Sequence, residues 1–171
     1  MFSAGRINEL YWKMITRKMA NEMIASTFLE FFQRDIEKLK DEIAQFPNEH
    51  LWKTKGDIKN SAGNLALHLT GNLKHFIGAV LGNTGYARKR DMEFSDKSVS
   101  KEKLLQGLIE TKEIVTSVLP SLPDEKVMQP YPIEAFGKQA TTLYVMVQLV
   151  AHLNYHLGQV NYLRRMFQEV A

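Results

Sequence analysis

Three histidines lie on stretches of sequence that are otherwise apolar and helical in pattern. His68 lies in LALHLTGNLKHFIGAVL, and His152 and His156 lie four residues apart in LYVMVQLVAHLNYHLGQVNYL. Residues four apart stack on one face of an α-helix, so His152 and His156 can reach one ion together. A third imidazole from a facing helix completes a three-point grip on a metal ion. The spacing therefore predicts a metal site formed by His68, His152 and His156.

The ordinary alternative is a set of core histidines without a ligand. A single histidine on an apolar helix is usually a satisfied core residue, and a bare HxxxH pair is common by chance. His68, on a second buried helix, favours the metal site, because burying three imidazoles without partners costs about 1–3 kcal/mol each. A metal ion removes that cost and fixes the tautomers.

Further polar residues follow the histidines along the same two helix faces. We predict that these two polar lines face each other across a shared pocket. The candidates for orienting the ligands or lining the pocket are Asn64, His75, Tyr155 and Gln159. His75 lies two turns beyond His68, which is too far for easy binding of the same ion. His50 lies in a polar loop and is expected to be solvated.

The chain has no cysteine. This excludes disulfides, a thiolate zinc site and a cysteine nucleophile, and it suits a cytoplasmic location. Nitrogen and oxygen ligands would have to hold any metal, which favours Zn, Ni, Fe, Mn or Cu. Three neutral imidazoles leave one position of a zinc ion open, as in catalytic sites.

An ion with an open position could act in two ways. It could lower the pKa of bound water to about 7, or it could bind the thiol of a low-molecular-weight cosubstrate. No residue is assigned as the catalytic acid or base. Glu134 could reach over the site, but its position in a proline-rich loop is more typical of a surface carboxylate.

The charge is placed unevenly. Residues 1–18 carry four cations and one carboxylate, and so account for the whole net charge of +3. The remaining chain is neutral, which argues against nucleic-acid binding, since that needs a concentrated basic surface. No apolar run reaches the roughly 18 residues that a membrane span needs.

Helical periodicity and capping residues predict an all-α domain of four helices. We place these helices at about 21–45, 62–81, 101–119 and 142–167. Ser61 and Ser100 are predicted N-caps. The segment 82–99 is predicted to be a loop. The proline-rich connection after the third helix is predicted to be a structured loop with a short strand pair near 127–133.

Residues 1–20 are predicted to form a leader helix, separate from a bundle domain at 21–171. Helical spacing of apolar residues supports it: Ile7, Leu10, Tyr11 and Met14. The leader could pack on the domain or on a partner, touch a membrane surface with its basic face, or act as a transit-like segment. Alternatively, translation starts downstream, since several methionines precede the first strong helix.

The loop segment ARKRDMEF supports two interpretations. Arg88 and Arg90 could clamp an anionic group of a substrate. Alternatively, they pair with Asp91 and Glu93 and order the loop, which is the interpretation we favour.

The chain resembles the DinB-like superfamily of metal-binding helical bundles over about residues 23–168. The resemblance rests on SAGNLALHLTGNLKHF, RKRDMEF and AHLNYHLGQVNYL. It implies an up-down-down-up four-helix bundle, often dimeric, with the metal triad on His68, His152 and His156. It also implies a zinc- or nickel-like ion, with iron or manganese as alternatives. Across the superfamily, members include thiol-dependent S-transferases, thiol-dependent isomerases and proteins described as metal-dependent hydrolases.

We therefore predict a metal-dependent enzyme that activates water or a low-molecular-weight thiol for attack on a small-molecule substrate, as a cytoplasmic homodimer. The alternative is a non-enzymatic, metal-stabilised dimer that binds a ligand or a partner.

Overall fold

Four long helices form the molecule in the computed structural model, which describes residues 4–168. They are α1 (Ala4–Gln45), α2 (Ala62–Leu73), α4 (Lys101–Ser121) and α5 (Thr142–Phe167). A π-helical segment, Lys74–Leu81, continues α2, and a short helix, α3 (Arg90–Ser95), follows it. The predicted all-α fold is confirmed. Between residues 4 and 168, no helix combines the length and the apolar character that crossing a membrane requires.

Hydrogen bonds between side chains of α1 and those of α4 and α5 show in which direction each of these helices runs. Gln33 donates to Thr116 and Lys112 donates to Glu37, so α4 runs antiparallel to α1. In contrast, α5 runs parallel to α1, since two hydrogen bonds from α5 to α1 both join residues 119 positions apart, Asn154 to Asp35 and Asn161 to Glu42.

The second helix runs in the same direction as α4. Lys74 pairs with Glu110, and a Cβ built on Gly82 would meet Val118. With α1 and α5 pointing one way and α2 and α4 the other, the bundle is up-down-down-up. The histidine-bearing helices α2 and α5 are therefore antiparallel neighbours.

The core follows the predicted apolar stripes. The inner face of α1 is formed by Phe32, Ile36, Leu39 and Ile43, and Phe46 follows the end of the helix; all are at most 1% exposed. The inner face of α4 is also buried: Leu104, Leu108, Thr111, Val115 and Val118. Burial of these two rows of side chains stabilises the helical bundle.

Capping fixes where the helices begin. The side chains of Ser61, Ser100 and Thr141 each accept a hydrogen bond from the third backbone N–H that follows. These bonds satisfy donors that a helix start would otherwise leave unpaired. The predictions of Ser61 and Ser100 as N-caps are confirmed.

Some predicted boundaries are wrong. The first helix does not begin at about residue 21, because α1 is one helix from Ala4 to Gln45. The division into a leader at 1–20 and a bundle domain at 21–171 stays a prediction. No glycine or proline occurs between Arg6 and Gln45, so nothing interrupts it. The side chains of the apolar residues predicted for the leader, Ile7, Leu10 and Tyr11, lie outside the described part of the structure. Residues 1–3 lie outside it altogether.

Two loops also differ from the predictions. The segment 82–99 contains α3 and is not a loop throughout. Helix α4 extends two residues beyond its predicted end at 119. The connection after it forms a 3₁₀ turn at Asp124–Met128. The predicted strand pair is wrong: pairing there is limited to two isolated bridges, Pro130–Thr141 and Ala135–Lys138.

Candidate metal centre

Helices α2 and α5 bring three imidazole rings together near one edge of the bundle. The Nε2 atom of His152 lies 3.1 Å from Nε2 of His68 and 3.1 Å from Nε2 of His156. One ligand atom from each ring falls within 4.8 Å of the other two. His68 is buried, whereas His152 and His156 are half-buried. The three residues that the sequence pattern singled out therefore converge and could hold one metal ion.

Partners on the far side of two rings fix their tautomers. Nδ1 of His68 lies 2.8 Å from Glu93 Oε2, and Nδ1 of His156 lies 2.7 Å from Gln159 Oε1. Both oxygens are acceptors, so each Nδ1 carries the hydrogen. In the neutral rings, the Nε2 atoms of His68 and His156 are therefore bare, with their lone pairs available.

This convergence fits a cation better than a hydrogen-bond network. Nε2 of His152 can carry at most one hydrogen, yet it faces two bare nitrogens at 3.1 Å. At least one of these approaches therefore has no hydrogen between the two nitrogens, which repel each other. Nitrogen ligands of a tetrahedral zinc ion, at 2.0–2.1 Å from the metal, lie about 3.4 Å apart. A small divalent ion between the three rings would turn this repulsion into coordination.

The carboxylate of Glu93 is itself held in place. Arg88 donates from Nε to Glu93 Oε1 at 2.7 Å and from Nη2 to Oε2 at 2.8 Å, and both side chains are almost completely buried. Arg88 Nη2 also lies 3.3 Å from His68 Nδ1. The shorter carboxylate contact decides the tautomer, because a bare Nδ1 at 2.8 Å from Glu93 would be repelled. Arg88 thus pairs with Glu93 and orders the loop, as in the interpretation we favoured, whereas Arg90 lies over the ring of Phe94.

Two residues of α2, Asn64 and Gly71, allow α3 to lie close to this helix. Asn64 Nδ2 donates to the carbonyl oxygens of Glu93, Phe94 and Asp96 at 2.9–3.1 Å. Gly71 faces the Glu93 carboxylate so closely that a Cβ at this position would collide with it. Asn64 and Gly71 therefore allow Glu93 to reach His68.

Burial keeps two of the rings neutral. The pKa of His152 is lowered to about 4, mainly by burial and also by the nearby His156, His68 and Arg88, against the opposing effect of Glu93. The pKa of His156 is lowered mainly by burial, against the opposing effect of its hydrogen bond to Gln159. Neutral imidazole is the form that binds metal, so both rings are ready as ligands at neutral pH.

Glu93 stays ionised beside them. Burial alone raises the pKa of its carboxyl group, but hydrogen bonds from Arg88 and His68 outweigh that effect, and the net pKa lies below its ordinary value. An ionised carboxylate on the far nitrogen raises the basicity of a histidine ligand and holds its ring in place.

The remaining predicted residues lie in varied surroundings. Tyr155 is 64% exposed and its ring meets the edge of His156 at a centroid distance of 5.1 Å. His75 packs edge-on against Phe76 in the π-helical segment, and burial lowers its pKa. Glu134 is exposed.

The sequence suggested that His50 is solvated, but its side chain is half-buried. Its ring packs on Phe167 at the end of α5, and Nδ1 lies 3.1 Å from the Phe167 carbonyl oxygen. It therefore holds the end of α5 and lies apart from the three convergent rings.

Sequence reasoning did not assign Glu93 to the site. It considered this residue only as a partner that orders the loop. The available signal was the buried polar face of α2, which includes Asn64, His68 and Asn72 and needed an opposing polar group. The structure shows that the opposing group comes from α3.

A helical bundle with three convergent histidines defines the general class of this protein. Residues 18–171 match a family model described as "Protein of unknown function (DUF1572)", and the chain belongs to that family. Among solved structures, it is similar to a DinB-like protein from Bacillus cereus ATCC 10987. The TM-score is 0.66 and the identity 16%, over 81% of this chain and 89% of the other. The resemblance to DinB-like proteins is confirmed at the level of the fold. No curated protein matches the chain.

Proposed function

We propose that this protein is a cytoplasmic metal-dependent enzyme acting on a small-molecule substrate. His68, His152 and His156 hold one divalent ion, zinc or nickel in first place and iron or manganese as alternatives. The observation that carries the proposal is the pair of bare Nε2 atoms directed at a third imidazole at 3.1 Å.

The chain's own groups prepare the ligands before any ion arrives. Glu93 fixes the ring of His68, and Gln159 fixes the ring of His156. Such preorganisation avoids the cost of ordering three side chains when the ion binds. A bound ion would supply a Lewis acid that activates a water or a thiol at its open position.

The exposure of the rings favours chemistry at this site. His152 and His156 are only half-buried, and the exposed Tyr155 lies beside them, so a small molecule can reach the rings from the α5 side. Because the chain has no cysteine, the thiol of a transferase reaction would come from a low-molecular-weight cosubstrate. The reaction types proposed are therefore hydrolysis and thiol S-transfer.

Metal content tests the site. Protein purified with His152→Ala should lose its bound divalent ion by elemental analysis, whereas His50→Ala, outside the cluster, should keep it. Circular dichroism of both variants checks that the bundle remains folded. Equal metal content in His152→Ala and the parent protein would overturn the proposal.

Activity then distinguishes the two reaction types. The metal-loaded protein is incubated with a small electrophile, with and without glutathione or free cysteine. Loss of the thiol at a rate that depends on metal indicates S-transfer, whereas metal-dependent product without thiol indicates hydrolysis.

A second function is favoured by one observation: the three rings join two helices whose ligands lie 84 residues apart. A metal here would serve chiefly to stabilise the fold of a non-enzymatic homodimer that binds a ligand or a partner. A chelator melt separates the two. A structural ion should account for much of the stability of the protein, whereas removal of a catalytic ion should abolish turnover with a modest change in melting temperature.

A further inference from the structure

The first half of α1 extends beyond the rest of the bundle. In the register set by the α1–α5 hydrogen bonds, the first residue of α5, Thr142, is level with Met23. In the register set by the α1–α4 hydrogen bonds, the last residue of α4, Ser121, is level with Phe28 of α1. Residues 4–22, the helical arm, therefore continue past both neighbouring helices for about 28 Å at 1.5 Å per residue.

Large apolar side chains on the helical arm are in contact with water. Trp12 is 59% exposed, Met14 71% and Met19 57%. A single helix of this length is marginally stable in water, and most helices in proteins depend on packing of an apolar face. The arm therefore needs a surface to pack on.

A suitable surface begins where the helical arm ends. The apolar groove is a cavity of about 860 Å³ between α1 and α5. Its walls include Met23, Phe28, Phe31, Leu143, Val147 and Val150. Val147 is 49% exposed there. Exposed apolar surface of this kind marks an interaction site.

We propose that two copies of this chain exchange helical arms, each arm lying antiparallel to the partner's α1 in the apolar groove. A two-fold axis near residue 22 brings residues 10–19 of one copy beside residues 25–34 of the other. That is the stretch of α1 that lines the groove. The proposal deepens the homodimer predicted from the sequence for both candidate functions, and it does not require the metal ion.

The charge along α1 suits an antiparallel pair. Residues 1–20 carry four cations and one carboxylate, a net charge of +3, whereas residues 21–45 carry six carboxylates and three cations, a net charge of −3. Antiparallel pairing brings the basic half of each helix to the acidic half of the other. A parallel pair would bring like charges together, so the charge pattern also sets the direction.

The size of the contact is that of a stable dimer. A helix about 10 Å wide and 28 Å long has roughly 400 Å² on one half of its surface. Each chain takes part twice, once with its arm and once with its groove, which gives about 800 Å² per chain. This area is typical of specific, stable interfaces.

Cross-linking tests the exchange directly, because the native chain has no cysteine. In one chain Met14 and Val147 are separated by about 21 Å along α1, so a short bismaleimide cannot join them. In the exchanged dimer they come within its reach. The full chain carrying Met14→Cys and Val147→Cys should give a covalent dimer in high yield. Neither single variant should do so.

Mass measurements provide the second test. By light scattering, the full chain should be a dimer, and the chain without residues 1–20 should have half that mass. Val147→Glu should also give a monomer, whereas Ile109→Glu, the same change at an exposed position on α4, should leave the dimer intact. Bound metal and circular dichroism of each variant confirm that the bundle is folded.

Each contrary result has a defined meaning. A full chain that is monomeric overturns both the homodimer and the exchange, and leaves the metal centre to its own tests. A dimer that survives loss of residues 1–20 overturns the exchange but keeps the homodimer. Co-sedimentation of the full chain with anionic vesicles, abolished by removing the arm and accompanied by monomers in solution, would assign the arm to a membrane surface instead.

Discussion

Glu93 Oε2 lies 2.8 Å from His68 Nδ1 and joins the short helix α3 to the histidine-bearing face of α2. The same carboxylate receives two hydrogen bonds from Arg88. One residue of a six-residue helix therefore determines the tautomer of a ring on a different helix.

Glu93→Gln should weaken metal binding by about 10–100-fold, the usual effect of losing a group behind a metal-binding histidine. The change keeps the size of the side chain but removes the charge that favours the Nδ1–H tautomer. Competition with a chromophoric chelator measures the affinity. Glu110→Gln, which removes a carboxylate paired with Lys74 away from the site, is the matched control. Equal affinities would reduce Glu93 to a role in loop order.

Gln159 should be a position where affinity can be raised as well as lowered. Its Oε1 accepts from His156 Nδ1 at 2.7 Å. Gln159→Leu removes that acceptor and should weaken metal binding, whereas Gln159→Glu offers a charged acceptor and should strengthen it several-fold. The same competition assay applies, and a change in the same direction for both variants would contradict the assignment.

Gly71→Ala should destabilise the protein by about 1–3 kcal/mol, because the added methyl group overpacks the site beside Glu93. The variant should also bind metal more weakly, since the carboxylate is displaced from His68. Gly158→Ala is the control: it lies exposed on α5 with no atom near its Cβ and should stabilise by up to about 1 kcal/mol. Urea unfolding compares the two, and similar effects would contradict the proposed close contact.

Glu42 should make stability depend on pH. Burial raises the pKa of its carboxyl group, but hydrogen bonds from Arg164 and Asn161 outweigh this and lower the net pKa. A lowered folded pKa means that the folded state binds fewer protons. The stabilisation is therefore present above the unfolded pKa of about 4.3 and is lost as pH falls through the folded pKa.

Glu42→Gln should accordingly destabilise the metal-free protein by about 1–3 kcal/mol at pH 7, and this deficit should shrink as the solution is acidified. Denaturant unfolding at several pH values measures it. Glu134→Gln, at an exposed carboxylate, should show little deficit at any pH. A deficit for Glu42→Gln that stays constant with pH would argue against the ion pair with Arg164.

The sequence was most informative where periodicity and capping act together. The bounds of α5 and the convergence of His68 with His152 and His156 could be predicted because an apolar stripe fixes which face of a helix points inward. Glu93 could not be assigned to His68, since the six residues of α3 are too few to show a period. The π-helical segment also has no signature, because it differs from an α-helix in its hydrogen bonds and not in its apolar pattern.

The separation of the histidines along the chain has a consequence for biosynthesis. His68 and Glu93 are 25 residues apart and can meet early, whereas His68 and His152 are separated by 84 residues. During translation, α5 leaves the ribosome after α2, α3 and α4. The first half of the site can therefore assemble without metal, and an ion held by all three rings would be captured only after α5 has emerged. An ion held by all three histidines would thus bind late, after the bundle has closed. Such an ion would not guide the earlier folding of the helices.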